Sequence, residues 1–270
     1  MPFTASHIAA IVPIYARLGR FRVASALVIG SMAPDMHYFL PIDIDRDISH
    51  SVWGLLAYCL PIGLVLYVLF HLLAKHALIA LLPDWIADRV DRIAGDPGSL
   101  PRQRWSAVAG AILIGASTHL FWDAFTHRDS FGVGLFPALQ TVVISIWGWD
   151  LYGYALLQHL STLVGLAVIT CWSWRWLRQQ TPFVAEYRPR LTVSTKRMVW
   201  MLIIATAVVN GALALVPYFG ATIDLSSAAL PAFEWVTSTI AGGLFAVGLF
   251  SLLWRIRLAQ RFKPLVWLSR

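Results

Sequence analysis

Cysteine and charge are both scarce in this 270-residue chain. Its two cysteines, Cys59 and Cys171, each lie inside an apolar run, which excludes a disulfide framework and a paired-cysteine metal motif. Charged residues make up only 13% of the chain, whereas 58% is hydrophobic and the mean hydropathy is +0.67. This composition excludes an ordinary soluble enzyme and is typical of a membrane protein.

Several familiar signatures are also missing. There is no glycine-rich phosphate loop and no Ser-His-Asp order. No basic segment precedes the first apolar stretch, because Arg17, Arg20 and Arg22 follow it, so we expect no cleavable signal peptide. The basic residues behind the net charge of +7 cluster at the ends of apolar runs. They predict topology signals at an anionic membrane surface and no nucleic-acid partner.

Apolar runs long enough to cross a bilayer as helices dominate the chain. They are residues 52–73, 105–125, 151–176, 198–217 and 235–254. Two shorter runs, 8–16 and 23–33, cannot cross and favour a re-entrant or tilted hairpin with the arginines at its turn. The sequence predicts an all-α, polytopic membrane helical bundle of about five full spans plus a short N-terminal re-entrant helical hairpin.

Loop charge gives an orientation. Residues 175–197 and 255–270 are basic, whereas the connection 218–234 contains no lysine or arginine. The positive-inside rule then places both basic segments, and the C-terminus, in the cytoplasm. Counting back through the spans places residues 35–50 and 126–150 on the extracytoplasmic side.

The stretch Ser117–His127 carries the most informative spacing. If it is helical, His119, Asp123 and His127 stand at i, i+4 and i+8, so two imidazoles and a carboxylate share one face. These donors suit zinc, iron or manganese, and charge in an apolar run is costly unless it is paired or coordinated. The alternative is a satisfied core histidine, a helix-end carboxylate and a loop histidine.

Four residues elsewhere extend this set: His7, Asp35, His50 and His159. The first three fall on the same predicted side as the motif, and His159 lies about two turns into its span, within reach of a recessed pocket. Ser49 and Ser51 flank His50 and can support it by hydrogen bonds.

Other polar residues have simpler interpretations. His37 follows Asp35 by two residues, so in a helix the two side chains would point in different directions. We therefore expect His37 to be a ligand only if this segment is an irregular loop. A second group reads as solvated loop acids or as interfacial histidines at the opposite end of the first span: Asp43, Asp45, Asp47, His71 and His76.

The motifs together resemble a known family. Met-Pro-Phe-Thr-x-Ser-His7, with Gly30-Ser-Met-Ala-Pro-Asp35, Ser49-His50-Ser51 and Thr118-His-Leu-Phe-Trp-Asp-Ala-Phe-Thr-His127, closely resembles an uncharacterised bacterial family of integral membrane proteins. The resemblance covers residues 1 to about 175. More loosely, the ligand order resembles inner-membrane metal-dependent hydrolases and, through them, the zinc-dependent phospholipase C and single-strand nuclease superfamily.

The superfamily resemblance implies up to three zinc ions. Asp35, His50, His119 and Asp123 would hold one ion, and Asp123 would bridge to a second ion bound by His7. His127 and His159 would belong to a third, but the carboxylate expected four residues after the last histidine is replaced by Leu163, and no tryptophan stands at the N-terminus. One or two ions are therefore the expectation. Asp35, implied as general base as well as ligand, and Asp123 are the predicted catalytic residues.

These observations predict an integral membrane, zinc-dependent hydrolase of the bacterial inner membrane. A metal ion with an open position activates water and polarises a phosphoryl oxygen, so we expect a phosphoesterase acting on a lipid or lipid-linked substrate among membrane lipids. Two alternatives remain: a metal-dependent lyase, transferase or cyclase acting on a diphosphate-bearing lipid, and a non-enzymatic metal transporter or scaffold. The predicted regions are a metal-site core (1–176), a basic cytoplasmic loop (177–197) and a two-helix membrane hairpin (198–270).

Overall fold

The computed structural model describes residues 3–146, 149–183, 190–220 and 229–266. Among them, five helices are long and apolar enough to cross a membrane: Val52–Leu81, Trp105–Asp123, Gly153–Gln179, Val193–Tyr218 and Ala229–Arg257. We number them as the first to fifth spans. The predicted all-α polytopic bundle is confirmed. Residues 184–189 of the predicted basic loop, 221–228 of the connection and 267–270 at the end lie outside the described residues.

The chain forms two compact units, Met1–Tyr67 with Arg102–Trp176 and Val68–Pro101 with Leu177–Arg270. The three predicted regions stay a prediction. The first unit contains every residue of the Ser117–His127 motif together with His7, Asp35, His50 and His159.

Short helical segments open the first unit. They are 3₁₀ helices at Thr4–Ile11, Tyr15–Arg17, Gly19–Phe21 and Ala33–Tyr38, and α-helices at Ala24–Met32 and Arg46–Ser49. None is long enough to cross a bilayer. Thr4–Ile11 and Ala24–Met32 are the two arms of the N-terminal hairpin. Residues 12–23 connect them and contain the three arginines that the sequence analysis placed at the turn.

The first span is interrupted by π-helical turns. It consists of α-helical Val52–Gly54, Leu60–Leu69 and Lys75–Leu81 with π-helical Leu55–Cys59 and Phe70–Ala74 between them. Because Pro61 has no N–H to donate to the carbonyl of Ala57, regular α-helical bonding fails there, and the first π turn lies just before it. The span also extends past its predicted end at residue 73.

The helix Ala24–Met32 packs closely against the second span, Trp105–Asp123. Glycines allow this approach, since a Cβ on Gly115 would meet the carbonyl oxygen of Leu27 and lie 2.7 Å from the backbone nitrogen of Ser31. The residues that follow Met32 are therefore held directly beside the C-terminal half of the second span.

The segment 126–150, which connects the second and third spans, contains several short elements. They are the α-helix Phe131–Leu135, the 3₁₀ helix Pro137–Gln140 and two antiparallel strands, Val142–Ile146 and Trp149–Tyr152. β-Branched residues favour the first strand. The third span, α-helix Gly153–Gln179, follows directly, and its Thr162 hydroxyl accepts a hydrogen bond from the backbone N–H of Phe3 at 3.1 Å.

The second unit is built on a helical hairpin. Its elements are α-helices Asp84–Ala94, Val193–Ala214 and Ala229–Val266 and the 3₁₀ helix Val216–Tyr218. Asn210 Nδ2 donates to the carbonyl oxygen of Ser238 at 2.6 Å and joins the fourth and fifth spans. Lys196 Nζ donates to Asp84 Oδ1 at 2.7 Å. This bond attaches the fourth span to the first residue of the amphipathic helix Asp84–Ala94.

Candidate metal centre

Six of the seven predicted ligands come together in the first unit. His7 lies on the first 3₁₀ helix, Asp35 on the segment Ala33–Tyr38, and His50 directly after the short helix Arg46–Ser49. His119 and Asp123 lie at the end of the second span and His127 in the turn that follows it. We call these six residues the cluster. His7, Asp35, His119 and Asp123 are buried, and the side chains of His50 and His127 are 7% and 14% exposed.

Four cluster atoms lie close to one another. His50 Nε2 lies 3.2 Å from Asp35 Oδ1 and 3.6 Å from Asp123 Oδ2. His119 Nε2 lies 3.6 Å and 3.5 Å from the same two oxygens. A tetrahedral zinc ion with ligands at about 2.0–2.2 Å keeps neighbouring ligand atoms about 3.4 Å apart. Ligand atoms of Asp35, His50 and His119 all lie within 4.8 Å of one another, so these three residues could hold one such ion, with an oxygen of Asp123 beside the two histidines.

Seven buried side-chain atoms of the cluster have no hydrogen-bond partner within the described part of the chain. They are both nitrogens of His7, Nε2 of His50, His119 and His127, Asp35 Oδ1 and Asp123 Oδ1. An unsatisfied buried polar group costs about 1–3 kcal/mol, and such groups are rare in folded proteins. Five of the seven lie 3.2–3.6 Å from another of the five, which is the expected arrangement for atoms that bind a cation: Nε2 of His7, His50 and His119, Asp35 Oδ1 and Asp123 Oδ1.

Hydrogen bonds behind the rings fix which imidazole nitrogen is free. His119 Nδ1 lies 2.8 Å from the carbonyl oxygen of Ser31 and donates to it. Ser49 Oγ donates to the carbonyl oxygen of Arg46 at 3.0 Å, so it accepts from His50 Nδ1 at 2.9 Å. Both histidines therefore present a lone pair on Nε2, the form that a metal ion needs.

The carboxylate of Asp35 is held in the same manner. The Thr4 hydroxyl donates to Asp35 Oδ2 at 2.7 Å and leaves Oδ1 facing the other ligands. Burial opposes ionisation of this side chain, but His50, His119 and Thr4 outweigh burial and lower the pKa of the Asp35 carboxyl. Asp35 is therefore an anion at neutral pH.

A second position lies on the other side of Asp123. His7 Nε2 is 3.4 Å from Asp123 Oδ1, and ligand atoms of His7, His119 and Asp123 all lie within 4.8 Å of one another. Burial, helped by His119, lowers the pKa of His7 to about 3, so its ring is neutral. Asp123 thus directs Oδ1 toward His7 and Oδ2 toward His50 and His119.

His127 joins the cluster, but not through the predicted helical spacing. The second span ends at Asp123, and residues 124–126 form a turn. His127 Nδ1 nevertheless lies 3.4 Å from Asp123 Oδ2 and 3.3 Å from the Asp123 carbonyl oxygen. Burial lowers the pKa of His127 to about 4. The i+8 prediction is wrong in its geometry because the helix stops one turn earlier.

His159 does not join the cluster. Its side chain is exposed on the third span, whereas the adjacent Gln158 is buried. Among the described residues, no ion pair and no potential metal-ligand group includes His159. A third ion that depends on this residue therefore has no support in the arrangement of the site.

The neighbouring polar residues divide into two kinds. His37 is half-buried, its Nδ1 lies 2.9 Å from the Pro34 carbonyl oxygen, and its ring centroid is 6.2 Å from that of His50. Asp43, Asp45 and Asp47 are exposed, and Asp45 caps the short helix by accepting from the Asp47 N–H at 2.9 Å. His37 therefore borders the cluster, while the three acids remain at the surface.

Two residues of the site escaped the sequence reasoning. Thr4 supports Asp35, and Arg46 Nη2 lies 3.5 Å from Asp123 Oδ2. Arg46 stands among three loop acids in the sequence, which made the whole segment look solvated. Its only signal was its place four residues before His50.

Comparison with known proteins gives a family without an assigned activity. The family model described as Domain of unknown function (DUF4184) matches residues 1–253, a range that includes all six cluster residues. No curated protein and no solved structure matches the chain.

Proposed function

The chain belongs to the DUF4184 family of unknown function, and from its site we propose that it is an integral membrane metal-dependent hydrolase of phosphoesters. One observation carries the proposal: the imidazoles and carboxylates of the cluster converge on buried positions with spacings of 3.2–3.6 Å and with unpartnered atoms facing inward.

The donor set fits divalent transition metals, zinc first. Asp35, His50, His119 and Asp123 would hold one ion, and His7 with the second oxygen of Asp123 would hold another. Imidazole nitrogen and carboxylate oxygen are common zinc ligands. A bound ion of this kind acts as a Lewis acid on a phosphoryl oxygen and activates water for attack. One or two ions are the proposed content.

The protein's own side chains would position and deprotonate the attacking water. Asp35 is ionised and held by Thr4 through one oxygen, so its other oxygen, Oδ1, faces the site and can accept a proton. Asp123, with one oxygen toward His7 and the other toward His50 and His119, would contribute to both metal positions. Burial of the cluster keeps its donors in one geometry, which is a requirement for catalysis by positioned groups.

The location of the cluster supports a lipid or lipid-linked substrate. Asp123 is the last residue of the second span, and His50 precedes the start of the first span by two residues. Both ligands therefore lie near the boundary between the apolar core and the headgroup region, where phosphates of membrane lipids lie. The charge of the loops favours the extracytoplasmic side of a bacterial inner membrane, with the C-terminus in the cytoplasm.

Metal analysis and an assay on two lipid classes test the proposal. We expect the purified protein to retain one to two equivalents of zinc and to release phosphate from a lipid phosphomonoester such as phosphatidic acid. Asp35→Asn is expected to lower turnover about 10²–10⁴-fold while part of the metal remains, because it removes the proton acceptor. Asp129→Asn, at an exposed acid beyond the cluster, is the matched control.

The outcomes separate the alternatives. Less than one equivalent of tightly bound transition metal contradicts both enzyme functions, the hydrolase and the lyase, transferase or cyclase. Consumption of a diphosphate lipid without release of phosphate by hydrolysis indicates the lyase, transferase or cyclase alternative. Bound metal with no change in any phosphorylated lipid favours a transporter or scaffold.

A further inference from the structure

We infer that Arg46 is the phosphoryl-binding residue of this site and that the phosphoryl group it receives is carried by an amphiphile. The inference rests on the proposed function, because it assigns a substrate-binding role beside the same cluster. It starts from a feature that metal binding alone does not explain, namely a permanently charged cation next to the central carboxylate.

Arg46 lies at the rim of the cluster. Its Nη2 is 3.5 Å from Asp123 Oδ2, and its side chain is 35% exposed, whereas the Asp123 side chain is 7% exposed. The Tyr38 hydroxyl also interacts with this guanidinium. The distance to Asp123 is too long for a strong charge-assisted hydrogen bond, which is about 2.7–2.9 Å. The guanidinium therefore lies beside the site, and its weak pairing with Asp123 leaves it able to bind an anion.

A cation in this place opposes metal binding unless an anion joins the site. Arg46 and a metal ion would both be attracted to Asp123 and would repel each other. A phosphate placed between them removes this repulsion, because its oxygens accept hydrogen bonds from the guanidinium on one side and face the metal ligands on the other. The planar guanidinium offers paired donors that match two phosphate oxygens.

The backbone holds Arg46 and the ligand His50 on one turn. Ser49 Oγ bonds both the backbone carbonyl oxygen of Arg46 and His50 Nδ1, so one hydroxyl links the backbone of Arg46 to the ring of His50. The backbone position from which the Arg46 side chain extends is therefore fixed relative to this ligand. Such a common support is what a group that must align a substrate with a metal ligand requires.

Apolar residues beside this turn indicate the rest of the substrate. Ile48, Val52 and Trp53 are 51%, 81% and 78% exposed, and the last two begin the first span. In a membrane these side chains contact lipid at the level of the interface. A phosphoryl group at Arg46 therefore has an apolar surface within a few residues, which fits an acyl or isoprenoid chain attached to it.

Binding of phosphonates to metal-loaded protein tests the inference without turnover, because their P–C bond is not a phosphoester. Wild type, Arg46→Gln and Arg46→Lys are titrated calorimetrically with methylphosphonate and octylphosphonate, and metal content is measured on the same samples. We expect Arg46→Gln to weaken both ligands about 10- to 100-fold, with metal content unchanged or higher, because a charge-assisted pair is lost. The affinity of Arg46→Lys for both phosphonates should lie between those of wild type and Arg46→Gln, because lysine keeps the positive charge but lacks the paired donors of the guanidinium.

Arg128→Gln is the matched control, since Arg128 is 79% exposed in its side chain and is paired only loosely with Asp129 at 3.9 Å. It should bind both phosphonates within about twofold of wild type, the range expected of a surface change. Wild-type affinity in Arg46→Gln, or loss of its metal, overturns the inference. Equal affinity of the wild-type protein for methylphosphonate and octylphosphonate overturns the inference that the substrate is an amphiphile. Absence of metal from wild type instead overturns the proposed function.

Discussion

The imidazole ring of His7 stacks on that of His119, with the ring centroids 3.7 Å apart and the planes 15° from parallel. Two imidazolium rings in such contact would repel each other, so the stack requires that at least one ring be neutral. Burial supplies this condition by lowering the pKa of His7 to about 3. The stack therefore joins the N-terminal helix to the second span with His7 neutral.

This relationship predicts how the stability of the metal-free protein depends on pH. The unfolded chain protonates His7 near pH 6.5, whereas the folded protein does so near pH 3, so the unfolded state binds more protons between these values. The free energy of unfolding should therefore fall as the pH decreases through this window. Thermal unfolding in detergent, followed by tryptophan fluorescence from pH 4 to 8 with chelator present, measures it.

The lowered pKa of Asp35 acts in the same direction, because its carboxylate stabilises the fold above its unfolded pKa and this contribution is lost on acidification. His7→Gln isolates the histidine, since it removes the titrating ring and should flatten the curve between pH 6.5 and 3. An unchanged slope in His7→Gln contradicts the prediction.

Asp123→Asn should remove most of the bound metal. Asp123 lies within 3.4–3.6 Å of four histidine nitrogens, and the neutral amide of asparagine could not replace the carboxylate that the proposed function assigns to metal binding. We expect affinity for zinc to fall by at least about 100-fold, more than for loss of a residue that only orients a ligand. Competition with a zinc chelator measures this. His159→Gln is the control, because His159 is exposed and lies outside the cluster, and it should bind zinc with wild-type affinity. If His159→Gln bound less zinc than wild type, the prediction of a third ion would be supported.

The two serines beside His50 should have different effects. Ser49→Ala removes the acceptor of His50 Nδ1 and should lower zinc affinity about 10- to 100-fold. Ser51→Ala instead removes the cap that accepts from the Gly54 N–H at 2.8 Å, which costs about 1 kcal/mol of stability. Chelator competition and thermal unfolding of both variants distinguish the two roles. Equal zinc affinities in the two variants would show that Ser49 does not set the histidine tautomer.

Gly115→Ala should disturb the site from a distance. Its Cβ would meet the backbone of Leu27 and Ser31, and Ser31 supplies the carbonyl that orients His119. Because backbone must move, we expect a loss of about 1–3 kcal/mol in stability together with weaker metal binding. Gly134→Ala is the control, since a Cβ there meets nothing within 4 Å. Normal stability and metal content in Gly115→Ala would show that the two helices separate without cost.

The bundle and the identity of most cluster residues followed from the sequence. Long apolar runs have few folded solutions in a bilayer, so the five spans could be predicted from length and hydropathy alone. His119 and Asp123 could be paired because helical periodicity places i and i+4 on one face. His7, Asp35 and His50 were found because charge and imidazole are rare in an apolar chain and fell on one predicted side.

The remaining features depended on tertiary contacts. His159 was misplaced because its helix is apolar around most of its circumference, so the sequence does not tell which face meets the protein. Arg46 was overlooked because charge patterning in a loop does not reveal that a turn folds back over Asp123. The close approach at Gly115, the Ser31 and Thr4 hydrogen bonds and the His7 stack bring together residues that are far apart in the chain. These are non-local contacts, and no local periodicity encodes them.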